Sequence, residues 1–233
     1  MNKMSKWTKT LLLTVTLSGT FALSSCLDDD DNYYYNMGAY NGIVTAKTDT
    51  DGTFFLQLDD STTLLPANIA SSPFGDKEVR ALLNFDYAEE SPGKYDKAAH
   101  VFWIDSILTK PMATDLGEKN DSVYGTDPID IVSDWVNIAE DGYLSLHFRF
   151  VTNHTGNKHF VNLLPTNNPD NPYEVEFRHN AYGDNYGKPG DGMVAFKLDA
   201  LPDTEGKTVK LKLKWKSYSG EKTAEFNYRS PQQ

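Results

Sequence analysis

Residue types that could bind a ligand are concentrated between positions 178 and 186. The candidates are Arg178, His179, Asn180, Tyr182, Asp184 and Tyr186. Charged and amide side chains can hydrogen-bond a sugar or a peptide, and tyrosine rings can stack on it. Asn and Asp also form turns without any ligand, because their side chains bond neighbouring backbone groups. The pattern therefore allows a ligand-binding loop or a simple turn, and it favours the turn.

Signatures of catalysis and of metal binding are weak. The sequence contains no Gly-x-Ser-x-Gly nucleophile turn, no phosphate-binding loop and no His-Glu-x-x-His motif. His154 and His159 flank a predicted hairpin turn and could approach each other, but no third ligand has zinc-site spacing. The 33 acidic residues could supply a carboxylate pair for glycoside hydrolysis, yet solubility explains them more simply. We expect no metal, no cofactor and no catalytic residue.

The chain has a single cysteine, Cys26, and its surroundings indicate a specific chemistry. It follows Leu23-Ser24-Ser25, which is preceded by a lysine-containing start and an apolar stretch too short to span a bilayer. This arrangement predicts a secretory signal peptide at residues 1–25. Leu-Ser-Ser-Cys resembles the lipobox of bacterial lipoproteins, in which cleavage before the cysteine is followed by its acylation. The resemblance implies palmitate-type chains on Cys26 that hold the protein on the outer membrane.

Four aspartates follow Cys26 almost directly. Asp28, Asp29, Asp30 and Asp31 resemble the export signal of Gram-negative bacteria that display lipoproteins on the outer face of the outer membrane. Their mutual repulsion would also keep residues 26–40 extended as an acidic tether. We expect the anchored protein to face the cell exterior.

The mature chain is strongly acidic. Removing residues 1–25 leaves 208 residues (233 minus 25) and takes away three lysines but no acid, so the net charge changes from −11 to −14. Such a chain lacks the clustered Lys and Arg that neutralise phosphates, which excludes nucleic acid as the leading partner. The partners that remain are the outer membrane, through Cys26, and a glycan or a protein. The length suits one large or two small domains.

Strand patterns begin after the tether. Residues 43–47 and 53–58 are rich in β-forming types and flank an Asp/Gly cluster, which predicts a hairpin. Residues 78–87 alternate between apolar and polar types, with Leu82 as the exception. Residues 100–107 are mostly apolar, as expected for a strand covered on both faces. These short strands predict a small OB-like barrel at residues 41–115.

A change in composition separates this barrel from the rest of the chain. Pro, Gly, Asp and Asn become frequent, and we place a linker at residues 116–127. Beyond it, six or seven alternating segments predict an antiparallel β-sandwich at residues 128–233. No long helical period follows the signal peptide, so the chain is predicted to be all-β.

Three stretches together resemble the NigD-like lipoproteins. They are Leu23 to Asp31, Phe54 to Asp60, and Glu176-Phe177-Arg178-His179-Asn180 with Gly183-Asp184. The resemblance covers nearly the whole mature chain. It implies an N-terminal OB-like domain followed by a C-terminal β-sandwich, in agreement with the division above. The family takes its name from a gene in a bacteriocin locus, and no biochemical activity of the family transfers to this chain.

These observations lead to one functional hypothesis and two alternatives. The leading hypothesis is a surface-displayed outer-membrane lipoprotein that acts as a non-enzymatic binding or accessory module. The first alternative is a bacteriocin-associated self-protection protein that intercepts a toxin at the cell surface. The second and less favoured alternative is a carbohydrate-active hydrolase.

Overall fold

The first hairpin forms around the Asp/Gly cluster, as the sequence predicts. In the computed structural model, which describes residues 39–153 and 156–231, β1 (Gly42–Thr48) pairs with the antiparallel β2 (Phe54–Gln57). Asp49 Oδ1 accepts hydrogen bonds from the backbone N–H groups of Asp51 and Thr53 at 3.2 and 3.1 Å, so side chains of the turn itself hold it. Cys26, the aspartates at 28–31 and His154 lie outside the described residues.

Three further strands close this hairpin into a barrel. They are β3 (Thr63–Pro66), β4 (Val79–Ala88) and β5 (Lys97–Ser106). The strand order is β1-β2-β3-β5-β4, and β4 pairs back onto β1. Inward-facing side chains fill the interior, among them Val44, Leu56, Leu64, Leu83 and Val101. This closed five-stranded barrel confirms the predicted OB-like domain.

Strand β5 departs from its predicted environment. We expected both of its faces to be covered, but Phe102 and Trp103 are 50% and 68% exposed. Asn84 pairs with Trp103 and Phe85 pairs with Val101, so Phe102 is an extra residue in the ladder. The resulting β-bulge turns two successive aromatic side chains outward, whereas a regular strand would turn one of them inward.

The second domain consists of two packed sheets. The first contains, in spatial order, β10 (Phe160–Pro165), β11 (Glu174–Asn180), β13 (Val209–Ser217) and β14 (Gly220–Tyr228). The second contains, in spatial order, β6 (Leu108–Pro111), β12 (Lys188–Lys197), β9 (Tyr143–Thr152) and β7 (Asp130–Ile131), with β8 (Ile138–Glu140) also paired to β9. Apolar side chains such as Leu146, Phe177 and Phe196 fill the space between the sheets. The predicted all-β fold with a C-terminal sandwich is confirmed.

The sandwich is mixed instead of purely antiparallel. β11 pairs in parallel with β13, and β6 pairs in parallel with β12. Because β12 lies in the opposite sheet, the chain crosses over between β11 and β13, and a crossover returns the chain in the same direction. The sequence division at residue 115 places β6 in the barrel domain, whereas in the structure β6 follows β5 directly and pairs with β12 at the edge of the sandwich sheet.

The outer face of the barrel packs against the outer face of the sheet that contains β9 and β12. This second apolar layer includes Ile43, Leu82, Ile107, Tyr143, Met193 and Ala195. Leu82 breaks the alternation of its strand because its side chain faces the sandwich and not the barrel interior. Arg80 lies two residues earlier on β4 and is also fully buried; its Nη1 donates to Thr45 Oγ1 at 3.0 Å.

The predicted linker lies within a segment that packs along the sandwich. This segment, residues 112–129, is called the strap below, and it contains a 3-10 turn (Gly117–Lys119) and the short helix α1 (Asn120–Tyr124). The Ala113 N–H donates to Leu163 O at 2.8 Å, and the Ile129 N–H donates to Lys216 O at 2.9 Å. The strap therefore runs from β10 to the end of β13. In the described part of the chain, no helix is long and apolar enough to cross a membrane.

Candidate functional site

The loop after β11 begins with a turn that its own residues stabilise. Asn180 Oδ1 accepts a hydrogen bond from the Tyr182 N–H at 3.0 Å, and the Asp184 N–H donates to Ala181 O at 2.9 Å. Tyr182 and Gly183 both adopt positive φ angles, +48° and +86°. The side-chain oxygen of Asn180 therefore bonds the backbone of the turn.

Arg178 is directed toward the strap. Its Nη1 donates to Asp121 Oδ1 at 2.6 Å and to Gly125 O at 3.4 Å. Its Nε lies 3.1 Å from Glu176 Oε2. The guanidinium is thus held between two carboxylates and a backbone carbonyl, and the contact joins β11 to α1.

His179 and Asp184 lie inside the domain, and only 1% of each is exposed. Asp184 accepts hydrogen bonds from Thr152 Oγ1 at 2.7 Å and from the Asn153 N–H at 2.6 Å. His159 connects the two buried residues, because its Nε2 lies 3.5 Å from Asp184 Oδ2 and its Nδ1 lies 2.9 Å from His179 Nε2. The three side chains form one hydrogen-bonded chain at the end of the sandwich.

The hydrogen-bond directions around His179 follow from its burial. Burial lowers the pKa of His179 below its ordinary value, so the ring is neutral at pH 7. Its Nδ1–H donates to Pro128 O at 3.2 Å, which leaves Nε2 as an acceptor for the proton on His159 Nδ1. Both nitrogens of His179 are therefore occupied by protein groups.

His159 meets a different histidine from the one suggested by the sequence. The sequence pointed to His154 across the turn, whereas β10–β11 pairing brings His159 against His179 with the rings stacked at 5.1 Å. Local spacing carried no signal for this pair, because it depends on the register of two strands. Among residues 39–153 and 156–231, no group of three or more His, Cys, Asp or Glu side chains is arranged to hold a metal.

Four exposed aromatic residues surround this loop, and we call them the aromatic end: Phe160, Tyr182, Tyr186 and Tyr218. Tyr182 and Tyr186 are 58% and 57% exposed. The Phe160 and Tyr182 rings meet edge to face at 5.5 Å. Asn153 Nδ2 donates to Tyr186 Oη at 3.3 Å, and the Val151 N–H donates to Tyr218 Oη at 2.9 Å. Sequence reasoning missed Phe160 and Tyr218, because strand pairing alone brings them to this end.

A cavity of about 410 Å³ is lined mainly by residues in and beside the sandwich strands β8 and β14, with Asp60 as its one barrel residue. Its lining residues are Asp60, Asn137, Ile138, Ala139, Glu140, Glu225, Phe226 and Asn227. Burial raises the pKa of Glu140 to about 7, although Arg80 acts in the opposite direction. No sequence pattern pointed to this cavity, because its residues come from three segments that are distant along the chain. Its carboxylates and amides could hydrogen-bond a small polar ligand.

Comparisons with known proteins agree with the two-domain architecture. The model of the NigD-like N-terminal OB domain matches residues 43–107, and that of the NigD-like C-terminal beta sandwich domain matches residues 111–228. A solved structure from Parabacteroides distasonis, provisionally named a toxin-related protein, is 36% identical with a TM-score of 0.65, over 81% of this chain and 92% of that chain. No curated protein matches the chain.

Two more distant solved structures share the fold. One is a NigD-like immunity protein from Bacteroides caccae, with 22% identity and a TM-score of 0.56, over 81% of this chain and 96% of that chain. The other is a provisionally named lipoprotein from Bacteroides fragilis, with 14% identity and a TM-score of 0.55, over 82% of this chain and 98% of that chain.

Proposed function

The chain belongs to the NigD-like family, and from that premise we propose that it is a non-enzymatic binding module displayed on the cell surface. Acyl chains on Cys26 hold it on the outer membrane, and the aromatic end of the sandwich binds its ligand. The ligand class that suits this end best is a glycan.

The observation that carries this proposal is the contrast between polar and aromatic residues around the loop after β11. The polar side chains of the loop hydrogen-bond other groups of the protein: Asn180, Asp184 and His179. By contrast, the rings of Tyr182 and Tyr186 are more than half exposed. The Tyr182 ring packs against Phe160, and Tyr186 Oη accepts a hydrogen bond from Asn153. These contacts restrict both rings, so stacking on a sugar face costs little further side-chain freedom. Their hydroxyl groups can hydrogen-bond sugar hydroxyls.

The sequence before the barrel supports surface anchoring. Cys26 follows a signal-like segment and precedes the aspartates at 28–31, which resemble a surface-export signal. The name of the B. fragilis protein, a lipoprotein, agrees with this anchoring. Several acyl chains bind a bilayer more stably than one, because each buried methylene contributes about 0.8 kcal/mol.

A second candidate function is self-protection against a toxin. It is favoured by the name of the P. distasonis relative, which calls that protein toxin-related, and by the name of the B. caccae protein, an immunity protein. In this role the aromatic end would contact a polypeptide toxin in place of a glycan.

Binding to a glycan array separates these functions. We expect Tyr182→Ala and Tyr186→Ala each to weaken glycan binding about tenfold, since one aromatic contact contributes about 1 kcal/mol or more. Tyr87→Ala is the matched control, because Tyr87 is 62% exposed on the barrel, away from the loop. Asn180→Ala should instead lower the melting temperature, because it removes a hydrogen bond of the turn.

The outcomes of these binding experiments distinguish glycan binding from self-protection. Glycan binding that survives both tyrosine substitutions would contradict the proposed site. Absence of glycan binding, combined with capture of a bacteriocin that depends on the same tyrosines, would favour the self-protection function.

A further inference from the structure

The bulge in β5 creates an aromatic patch on the outer face of the barrel. This outer patch consists of His100, Phe102 and Trp103, and the His100 and Phe102 rings meet edge to face at 5.1 Å. Trp103 is 68% exposed, which makes it more exposed than the other large hydrophobic residues of the described chain. The patch lies on the opposite side of β5 from the barrel interior, and the aromatic end does not include it.

The described chain begins beside this patch. Asn84, the ladder partner of Trp103, donates a hydrogen bond through Nδ2 to the carbonyl oxygen of Ala39. The Tyr40 hydroxyl donates to Asp105, two residues beyond Trp103. Cys26 precedes Ala39 by 13 residues (39 minus 26). Even a fully extended segment of that length spans at most about 45 Å, so a lipid on Cys26 keeps the start of the described chain, beside the patch, within that distance of the bilayer.

We propose that the outer patch rests on the membrane that carries the acylated Cys26, with Phe102 and Trp103 in the headgroup layer. This inference rests on the lipid anchoring in the proposed function. It assigns the barrel the role of contacting the bilayer and the sandwich the role of presenting the ligand site.

The chemistry of the patch favours a membrane as its occupant. Tryptophan and other aromatic side chains concentrate at membrane–water interfaces, where the ring is partly buried and its polar edge stays hydrated. The net charge of −14 for the mature chain (−11 minus three lysines) gives no electrostatic attraction to anionic lipids, so aromatic contacts have to supply the attraction. Two rings alone would bind weakly, but an anchored chain makes the contact intramolecular and raises its effective concentration.

Strand β9 runs from the layer beside the barrel to the aromatic end. Tyr143, its first residue, packs in the layer between barrel and sandwich, and Thr152, its last residue, bonds Asp184 beside the aromatic end. The nine steps between its first and last residues span about 30 Å. The aromatic end therefore lies at the opposite end of β9 from Tyr143.

Tryptophan fluorescence of the acylated full chain tests the proposal. The protein is reconstituted into phosphatidylcholine vesicles with or without bromine atoms on the acyl chains, which quench tryptophans at the membrane. We expect brominated vesicles to quench the wild-type emission, and Trp103→Phe to abolish most of that lipid-dependent quenching. Trp135→Phe is the matched control, since Trp135 is exposed on the sandwich, and this variant should keep the quenching.

The outcomes of this experiment also separate the two proposals. Quenching that is unchanged by Trp103→Phe, or absent in protein that sediments with the vesicles, would overturn the membrane contact while leaving the anchoring intact. A Trp103 shielded from both brominated lipid and aqueous acrylamide would indicate that another part of the chain covers the patch, and this too would overturn it. Protein that fails to sediment with vesicles would overturn the anchoring and the contact together.

Discussion

Arg80 Nη2 on barrel strand β4 lies 3.8 Å from Glu140 Oε2 on sandwich strand β8. Arg80 has no exposed surface, and its Nε and Nη2 make no hydrogen bond within the described residues. The ring of Tyr143 lies 5.9 Å from its guanidinium carbon. The charge of Arg80 is therefore balanced across the domain boundary, chiefly by the carboxylates of Glu140 and Asp141. This ionic contact links the packing of the two domains.

A double-mutant cycle should detect that link. Arg80→Met leaves two carboxylates without their buried cation, and we expect it to lower the free energy of unfolding by about 3–5 kcal/mol. Adding Glu140→Gln should cost less than the sum of the two single changes, because neither charge is then left alone. Urea unfolding of the four proteins at pH 8 measures the coupling. Strictly additive losses would show that the two side chains do not interact.

Glu140 also makes the free energy of unfolding depend on pH. Burial raises its pKa from 4.5 to about 7 in the folded protein. Between these values the native state keeps a proton that the unfolded chain releases, so the free energy of unfolding should fall as the pH rises through this window. The effect is at most about 3 kcal/mol. Glu140→Gln should flatten the curve; parallel curves for the two proteins, measured by urea unfolding, would contradict the assignment.

Gly125 is required where the strap meets β11. It adopts φ +78°, and a Cβ there would lie 2.4 Å from His179 O. Gly183 is a matched control, because it adopts φ +86° and a Cβ would meet nothing within 4 Å. We expect Gly183→Ala to cost about 1–2 kcal/mol from backbone conformation alone, and Gly125→Ala to cost clearly more. Equal melting temperatures for the two variants would mean that the strap shifts to accommodate the added methyl group at little energetic cost.

Cys26 should separate membrane association from folding. Cys26→Ala removes the acylation site, and we expect the protein to leave the membrane fraction while its thermal unfolding transition is kept, because residues 39–153 and 156–231 supply both cores. Recovery of this variant in washed outer membranes would contradict acylation. Replacing the aspartates at 28–31 by Ala should leave the protein acylated but reduce its removal by protease from intact cells. If protease removes the variant and the wild-type protein from intact cells equally, the four aspartates act only as a spacer.

The sequence predicted the elements of the fold well where the signal was local. The hairpin around Asp49, the alternation in β4 and the sandwich strands were all readable, because side chains alternate with a period of two and turns need particular residues. Leu82 was visible as an exception, but its reason was not, since the second apolar layer forms only when the barrel meets the sandwich. The bulge at Phe102 was also hidden, because it depends on the register against β4.

The sequence by itself determined the chain's all-β class, its division into a barrel and a sandwich, and the residue types of the loop after β11. Tertiary structure alone decided what those residues do. It buried His179 and Asp184 in one hydrogen-bonded chain with His159, and it gathered Phe160 and Tyr218 beside Tyr182 and Tyr186. It also set Arg80 against Glu140 across two domains. The physical reason is range: periodicity and turn chemistry act over a few residues, whereas burial and charge pairing depend on strands that are distant in sequence.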